Sequence, residues 1–437
     1  MKRILLIAGV LLVLSSTVVF AAGRSQAGSD TLTVWITHGP PDNGILQSIV
    51  DAYNATNPAL KAEMHQVPGS ETDSSSLMTA VRGGTGPDVY MLDRFVVPQR
   101  AADGILEDIT DELLKLDPQI RNKYISFAWD EANFKGRTYA LPFDTDTRML
   151  YYRKDILRQA GVDLSRFDPA NGPLTIAEVD AIAKTLDVRD ANGNYTRLGW
   201  NPVDDALGQV GPYTWGFIYG ATFANASSLT IQATDPKLVQ TYQWAKEWAA
   251  GRGPQQLGTF TSTYSPPNSP PQNQPFITGN LAMLITGDWQ INTMNTYAKD
   301  VEYGITWLPV ANAGDQPATW AGGWSWVVPK GTRHKAEAAA FLAFAAGEPG
   351  QTIYTRDSLH LPTSIPVSQN DSLFDADHRI FQESLPVAHS RPVLPIGAYF
   401  WDSLYTAWKA AWFDQSDVRT ALQQVQDQSQ AQLNRFK

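Results

Sequence analysis

The chain has 437 residues, 43% hydrophobic and 18% charged, and its 34 basic and 44 acidic side chains give a formal net charge of −10. That length and apolar content support two domains with real cores and exclude global disorder. The acidic balance argues against nucleic acid, and the absence of cysteine excludes disulfides, thiol catalysis, Cys-ligated zinc and a lipid-modified N-terminal Cys.

Lys2 and Arg3 precede an apolar run at residues 4–14, and Val19-Phe20-Ala21 offers a cleavage site, so residues 1–21 are expected to be a cleavable signal peptide. The run falls short of the roughly 20 apolar residues that a membrane span needs. An exported, periplasm-like location without a lipid tether follows, with residues 22–30 as a polar linker. Residues 31–36 (TLTVWI) alternate like a first strand, and Ile45, Ile49, Val50 and Tyr53 have helical spacing, with Pro58 as the expected stop. Residues 60–67 read as a second strand, 75–82 as a helix, and 88–92 (DVYML) as a third strand. Strands alternating with helices predict a mostly parallel α/β sheet, whose ligands bind beyond the strands' carboxyl ends. The residues just after Ile36 and Leu92 are therefore the first to inspect.

Residues 139–152 read as extended chain, 155–160 and 236–250 as helices, and 282–285 and 303–308 as strands. A helix is expected at 334–346, and the tail from Phe400 is helical. Between Gly251 and Pro275 lies a low-complexity string (TYSPPNSPPQNQP) that is expected to form a surface loop. Asp190-Ala191-Asn192-Gly193 lacks the acids that complete a calcium loop and reads as a turn. The six His residues are isolated, so no metal site is expected.

Three groups of residues suggest chemistry. Asp93-Arg94 at a strand terminus sets a carboxylate beside a guanidinium, able to bond vicinal hydroxyls or simply to cap the next helix. Asp144, Asp146 and Arg148 alternate on extended chain, which would place all three on one face with the carboxylates about 6–7 Å apart. A glycosidase needs one acid with a raised pKa, and a same-face arginine works against that, so binding is favoured over catalysis. Aromatics gather at turns: Trp35, Tyr90, Tyr213, Trp289, Trp320, Trp324 and Trp401, with the double glycine Gly322-Gly323 inside WAGGWSW. Indoles beside paired glycines suit the flat C–H face of a sugar ring. Trp244, Trp248, Trp408 and Trp412 sit at helical spacing and read as core.

The ordered segments GPDV leading to Asp93-Arg94-Phe95, then GRTYALPFDTDTRMLYYRKD, GNLAMLITGDW, AGGWSWVVPK and Leu361-Pro362-Thr363 resemble the sugar-binding branch of the extracellular solute-binding proteins of ABC importers. That resemblance implies a two-lobe, type II periplasmic binding-protein fold with a ligand cleft between lobes joined by crossing hinge segments. It implies an N-terminal lobe of 31–145 and 307–360 and a C-terminal lobe of 146–306 and 361–437, with crossings near Asp146, Trp307 and Leu361. It also implies a non-enzymatic carrier without cofactor, expected to be a monomer, that binds a carbohydrate and presents it to a membrane permease. By position, Asp93, Arg94 and Asp146 would bind sugar hydroxyls, and Tyr90, Tyr213, Trp289 and Trp401 would stack on rings. Trp35, His38, Asp144, Arg148, Trp320, Gly322, Gly323 and Trp324 complete the expected site. The Asp-Lys pair that the family carries after the first strand is replaced here by Thr37-His38-Gly39. An exported glycoside hydrolase, or the same fold binding a phosphorylated polyol, are the alternatives.

Overall fold

The computed structural model describes residues 31–437, and the expected signal peptide and linker lie outside the described residues. Strand β1 (Thr31–Ile36) alternates half-buried with buried side chains, turning Leu32, Val34 and Ile36 into the core. Helix α1 (Asp42–Ala55) buries Leu46, Ile49, Val50 and Tyr53, one face at helical spacing. It ends at Ala55, ahead of Pro58, and Asn57 takes a left-handed φ of 53°. Next come β2 (Lys61–Gln66), α2 (Ser75–Arg82) and β3 (Val89–Asp93), and β1 pairs in parallel with both β2 and β3. Strand β4 (Ala140–Pro142) is the far edge of this sheet, and β5 (Asp144–Thr145) leads away from it.

Strand β6 (Met149–Arg153) is buried along its whole length. Helices α3 (Pro212–Tyr219), α4 (Pro236–Ala250) and α5 (Pro254–Tyr264) follow. The last of these fills the stretch ahead of the expected Pro-rich loop and ends at Tyr264, where that loop begins. Pro254 opens a helix that buries Leu257 and Phe260, and the proline-rich string begins only at its end. Strand β7 (Met283–Thr286), α6 (Trp289–Tyr297) and β8 (Tyr303–Thr306) complete a second sheet, ordered β7-β6-β8 and antiparallel throughout.

The chain then runs through β9 (Thr319–Ala321) and returns to the first sheet as β10 (Trp324–Val327). There it lies antiparallel between β3 and β4, giving the order β2-β1-β3-β10-β4. The expected mostly parallel character holds for four of the five strands, since β10 alone runs against the others. Strands that arrive from the other half of the molecule are not bound to the parallel βαβ geometry. Helices α7 (Lys335–Ala345) and α8 (Glu348–Ser358) pack on α1, and β11 (Leu361–Pro362) pairs with β5. Strand β12 (Ala388–Ser390) lies parallel to β9, and α9 (Gly397–Trp412) and α10 (Val418–Leu433) close the fold.

Two cores result. One surrounds the five-stranded sheet and contains Val34, Ile49, Met91, Trp326 and Phe341. The other surrounds the three-stranded sheet and contains Tyr151, Trp200, Trp215, Trp408 and Trp412. Leu308 and Trp320 still belong to the second core, so the return to the first is completed at Trp324, beyond Trp307. Between the cores, β5 pairs with β11 and Asp146 bridges to Gly322, which places three crossing segments side by side. The chain thus has the two-lobe α/β fold expected of it.

Candidate functional site

The three parallel strands of the first sheet end at one cavity of about 500 Å3. Thr37 and His38 follow β1, residues 69–71 follow β2, and Asp93 ends β3; all line it. Asp146, Arg148, Gln209, Trp289, Trp320 and Trp401 line it from the second core, with Gly323 and Trp324 at the crossing. The cavity therefore lies beyond carboxyl strand ends and between the two cores.

Two buried ion pairs organise its wall. Asp93 accepts from both terminal nitrogens of Arg391, at 2.7 and 3.3 Å. Burial pushes the Asp93 carboxyl up to about 6, against the pull of Arg391. Asp146 pairs with Arg148 and also accepts from the Gly322 N–H at 2.7 Å. The Arg148 guanidinium lies 3.3 Å from the centre of the Trp320 ring and 5.4 Å from that of Trp289. Arg391 stands 5.1 Å from Trp320 and 5.5 Å from Trp401, so both guanidiniums flank one indole.

The aromatic walls are built in layers. Tyr213 stacks on Trp401 at 5.2 Å, and Trp401 stacks on Tyr405 at 4.6 Å. Trp289 follows Gly287, where any Cβ would come within 1.9 Å of the indole. That glycine is what lets the ring fold back against its own turn. Gly323 has a φ of +125°, and a Cβ there would lie 2.4 Å from the Arg94 guanidinium. The paired glycines thus let the crossing segment approach buried polar groups closely.

A third group lies at one end of the cavity, where His38, Asp42 and His360 are among the lining residues. His38 meets Trp324 edge-on at 4.3 Å. Burial, aided by the charge of His360, holds the His38 ring down at about 3. For His360 burial also disfavours the charge, but Asp288, Asp144 and Asp42 together outweigh it and raise the ring to about 10. One imidazole is thus neutral and its neighbour charged at neutral pH.

Several expected site residues stand elsewhere. Tyr90 is 1% exposed and packs in the core, because Tyr90 and Asp93 are three apart on a strand and face opposite ways. Trp35 packs half-buried against that same core, away from the cavity. Arg94 is wholly buried: it pairs with Glu131 at 3.0 Å and donates to the Asp144 and Gly322 carbonyls, leaving nothing for a ligand. Asp144 does not share a face with Asp146. The strand breaks after Thr145, and Asp144 turns inward to accept from the Trp324 N–H at 2.5 Å. Burial lifts its carboxyl to about 7. Tyr213 is buried behind Trp401, and Gly322 serves through its backbone, tying Asp146, Arg94 and Thr145.

Sequence reasoning missed Arg391, His360, Asp42, Gln209 and Tyr405, which line the cavity. Arg391 follows β12 and gave no local signal, because its partner lies 298 residues earlier. The Gly287-Asp288-Trp289 turn was the available pointer to His360, whose ring stacks 5.9 Å from Trp289. Among the described residues, no group of His, Asp and Glu could hold a metal ion, and no helix is long and apolar enough to cross a membrane.

Residues 48–382 match the family of bacterial extracellular solute-binding proteins. The chain belongs to that family. This solute-binding protein is 21% identical over 294 residues to the maltotriose-binding protein of Pyrococcus abyssi. The match covers 65% of the chain and 55% of that relative, little more than half its length. Its fold superposes on mannotriose-bound CpMnBP1 with a TM-score of 0.80 at 24% identity, covering 91% of this chain and 99% of the other. It also superposes on UgpB of Mycobacterium tuberculosis in complex with glycerophosphocholine, with a TM-score of 0.73 at 20% identity over 94% and 100% of the two chains. The fold is thus shared by proteins solved with an oligosaccharide and with a phosphodiester. The family is one of binding proteins, not of enzymes.

Proposed function

We propose that this protein is the exported substrate-binding component of an ABC importer, taking a neutral di- or oligosaccharide into the cavity and presenting it to the membrane permease. The observation that carries this is the local neutralisation of both cavity arginines, Arg148 by Asp146 and Arg391 by Asp93. Each pair offers donors and acceptors for hydroxyls while leaving no spare positive charge for a phosphate. Asp42, Glu71 and Asp205 add further carboxylates to the lining, which also disfavours an anion. Trp289, Trp320, Trp324 and Trp401 supply flat apolar faces suited to pyranose rings. The relatives' maltotriose and mannotriose fit the same chemistry. Asp144 lies outside the cavity lining, so the Asp144–Asp146 pair that the glycosidase alternative rests on is not assembled there.

The lobes in this reading are those expected from the sequence, with the return crossing moved to the Gly322–Trp324 stretch. Export through a cleavable signal peptide, and a monomeric carrier free in the periplasm, belong to the same proposal.

The test is calorimetry of the mature chain with maltotriose, mannotriose, glycerophosphocholine and glycerol 3-phosphate. Saturable binding of one neutral sugar, recovered intact, supports the reading. Binding only of the phosphorylated compounds moves the assignment to a phosphopolyol carrier, and cleaved sugar to a hydrolase.

A further inference from the structure

We infer that His360 is a positioning residue, a pin held between Tyr354 of the first lobe and the Asp288-Trp289 start of α6 of the second, that holds the two sides of the cavity together. The inference rests on the reading of the cavity as a solute-binding cleft, but not on the identity of the solute.

His360 sits where the third crossing segment begins, just after Leu359, which takes a left-handed φ of 68°. Its ring lies between two aromatic faces, Tyr354 of α8 at 5.3 Å and Trp289 of α6 at 5.9 Å, both nearly parallel to it. Its Nδ1 lies 3.3 Å from Oδ1 of Asp288, and the other oxygen of that carboxylate accepts from the Leu361 N–H at 2.8 Å. Asp288 is wholly buried at the N-terminal boundary of α6, so it is held at both ends of this short bridge.

The first lobe reaches this point through Tyr354, a member of the first core, and through Asp42 beside it. Asp42 opens α1, whose buried face belongs to the first core. Its carboxylate accepts from the Asn292 side chain of α6 at 3.4 Å, a direct bond between the lobes. Asp42 and His360 line the same end of the cavity, where the His360 charge favours the ionised Asp42 carboxylate. The titratable groups around the ring are Asp42, Asp144, Asp288, His38 and Tyr354. Three of the five are carboxylates contributed by three different elements. A cation placed among carboxylates from both lobes draws them together, and a neutral ring in the same place leaves them to repel. The pin also fixes the face of Trp289, because the imidazole is that indole's stacking partner.

The experiment compares wild type, His360→Gln and Asp42→Asn without ligand, by small-angle scattering and by NMR titration of the imidazole. The wild-type His360 ring is expected to stay protonated well above pH 8. His360→Gln is expected to enlarge the radius of gyration. Asp42→Asn should shift the His360 titration downward while preserving the Asn292 contact geometry. Mannotriose or maltotriose affinity, whichever the wild type binds, should fall about fivefold to 100-fold in His360→Gln. A His360 ring that titrates near 6.5, or a folded His360→Gln protein with unchanged dimensions, overturns the inference. If His360→Gln does not fold, the Asp42→Asn titration decides, and an unshifted ring overturns it. Failure of the wild type to bind any sugar refutes the sugar reading alone, because scattering and titration need no ligand.

Discussion

Arg391 reaches both carboxylate oxygens of Asp93, a residue 298 positions earlier in the chain, and the pair is almost wholly buried at the cavity wall. It joins the loop after β12 to the end of β3, and so the second core to the first. The guanidinium also lies 3.9 Å from the Phe95 ring, which packs it from a further side.

Removing one member of such a pair leaves the other buried and uncompensated. Arg391→Leu should therefore lower the free energy of unfolding by about 3–5 kcal/mol. It should also weaken sugar binding, because the Asp93 carboxylate loses its orientation. Urea melts and calorimetry on the same preparation measure both effects. A variant with wild-type stability would show that the pair is slack.

Arg94 predicts a different split. Its bonds all go to Glu131 and to backbone carbonyls. Arg94→Met should cost stability on the same scale of about 3–5 kcal/mol, yet folded protein should bind sugar with nearly wild-type affinity. Titration at a temperature well below the midpoint separates the two. A selective loss of affinity would return Arg94 to the ligand.

The aromatic walls can be tested one ring at a time. Trp289→Ala and Trp401→Ala should each weaken sugar binding by on the order of 1 kcal/mol or more, about fivefold or greater. Tyr90→Phe should leave affinity unchanged, because that ring is 1% exposed and packs in the core. Equal losses in all three would mean that the platforms are not distinguished by the cavity.

The two histidines have opposite pH signatures. His38 is held near 3, below its ordinary value, so its contribution to stability is present above pH 6.5 and is lost as pH falls toward 3. His360 is held near 10, so its contribution is complete below pH 6.5 and is lost as pH rises through 10. His38→Asn should flatten the acid limb of a stability profile, and His360→Gln the alkaline limb. Thermal midpoints recorded from pH 3 to 10 provide the readout. Identical limbs in wild type and variants would refute the assignment.

Local periodicity carried much of the fold. Residues 31–36 alternate because one side of β1 meets a core, and Leu46, Ile49, Val50 and Tyr53 recur because α1 has one buried stripe. The strand ends after Ile36 and Leu92 pointed to the cavity through a rule of sheet topology. The errors have equally local causes. Tyr90 and Asp93 differ in strand parity, so both cannot face a ligand. Asp144, Asp146 and Arg148 keep a common face only on an unbroken strand, and the chain breaks after Thr145. Arg391 was illegible because its partner is brought to it only by tertiary structure.

The local pairing of Arg148 with Asp146 and of Arg391 with Asp93 has a consequence for the surroundings in which the protein works. An exported protein meets a medium whose ionic strength the cell does not regulate. Attraction of a charged solute over a distance would strengthen in dilute media and fade in brine, as the screening length shrinks from about 30 Å at 0.01 M to 3 Å at 1 M. A cavity whose guanidiniums are each balanced at contact distance, with the uncharged solute proposed for it, has little such attraction to lose. Its capture of nutrient should be nearly the same in fresh and in salty water.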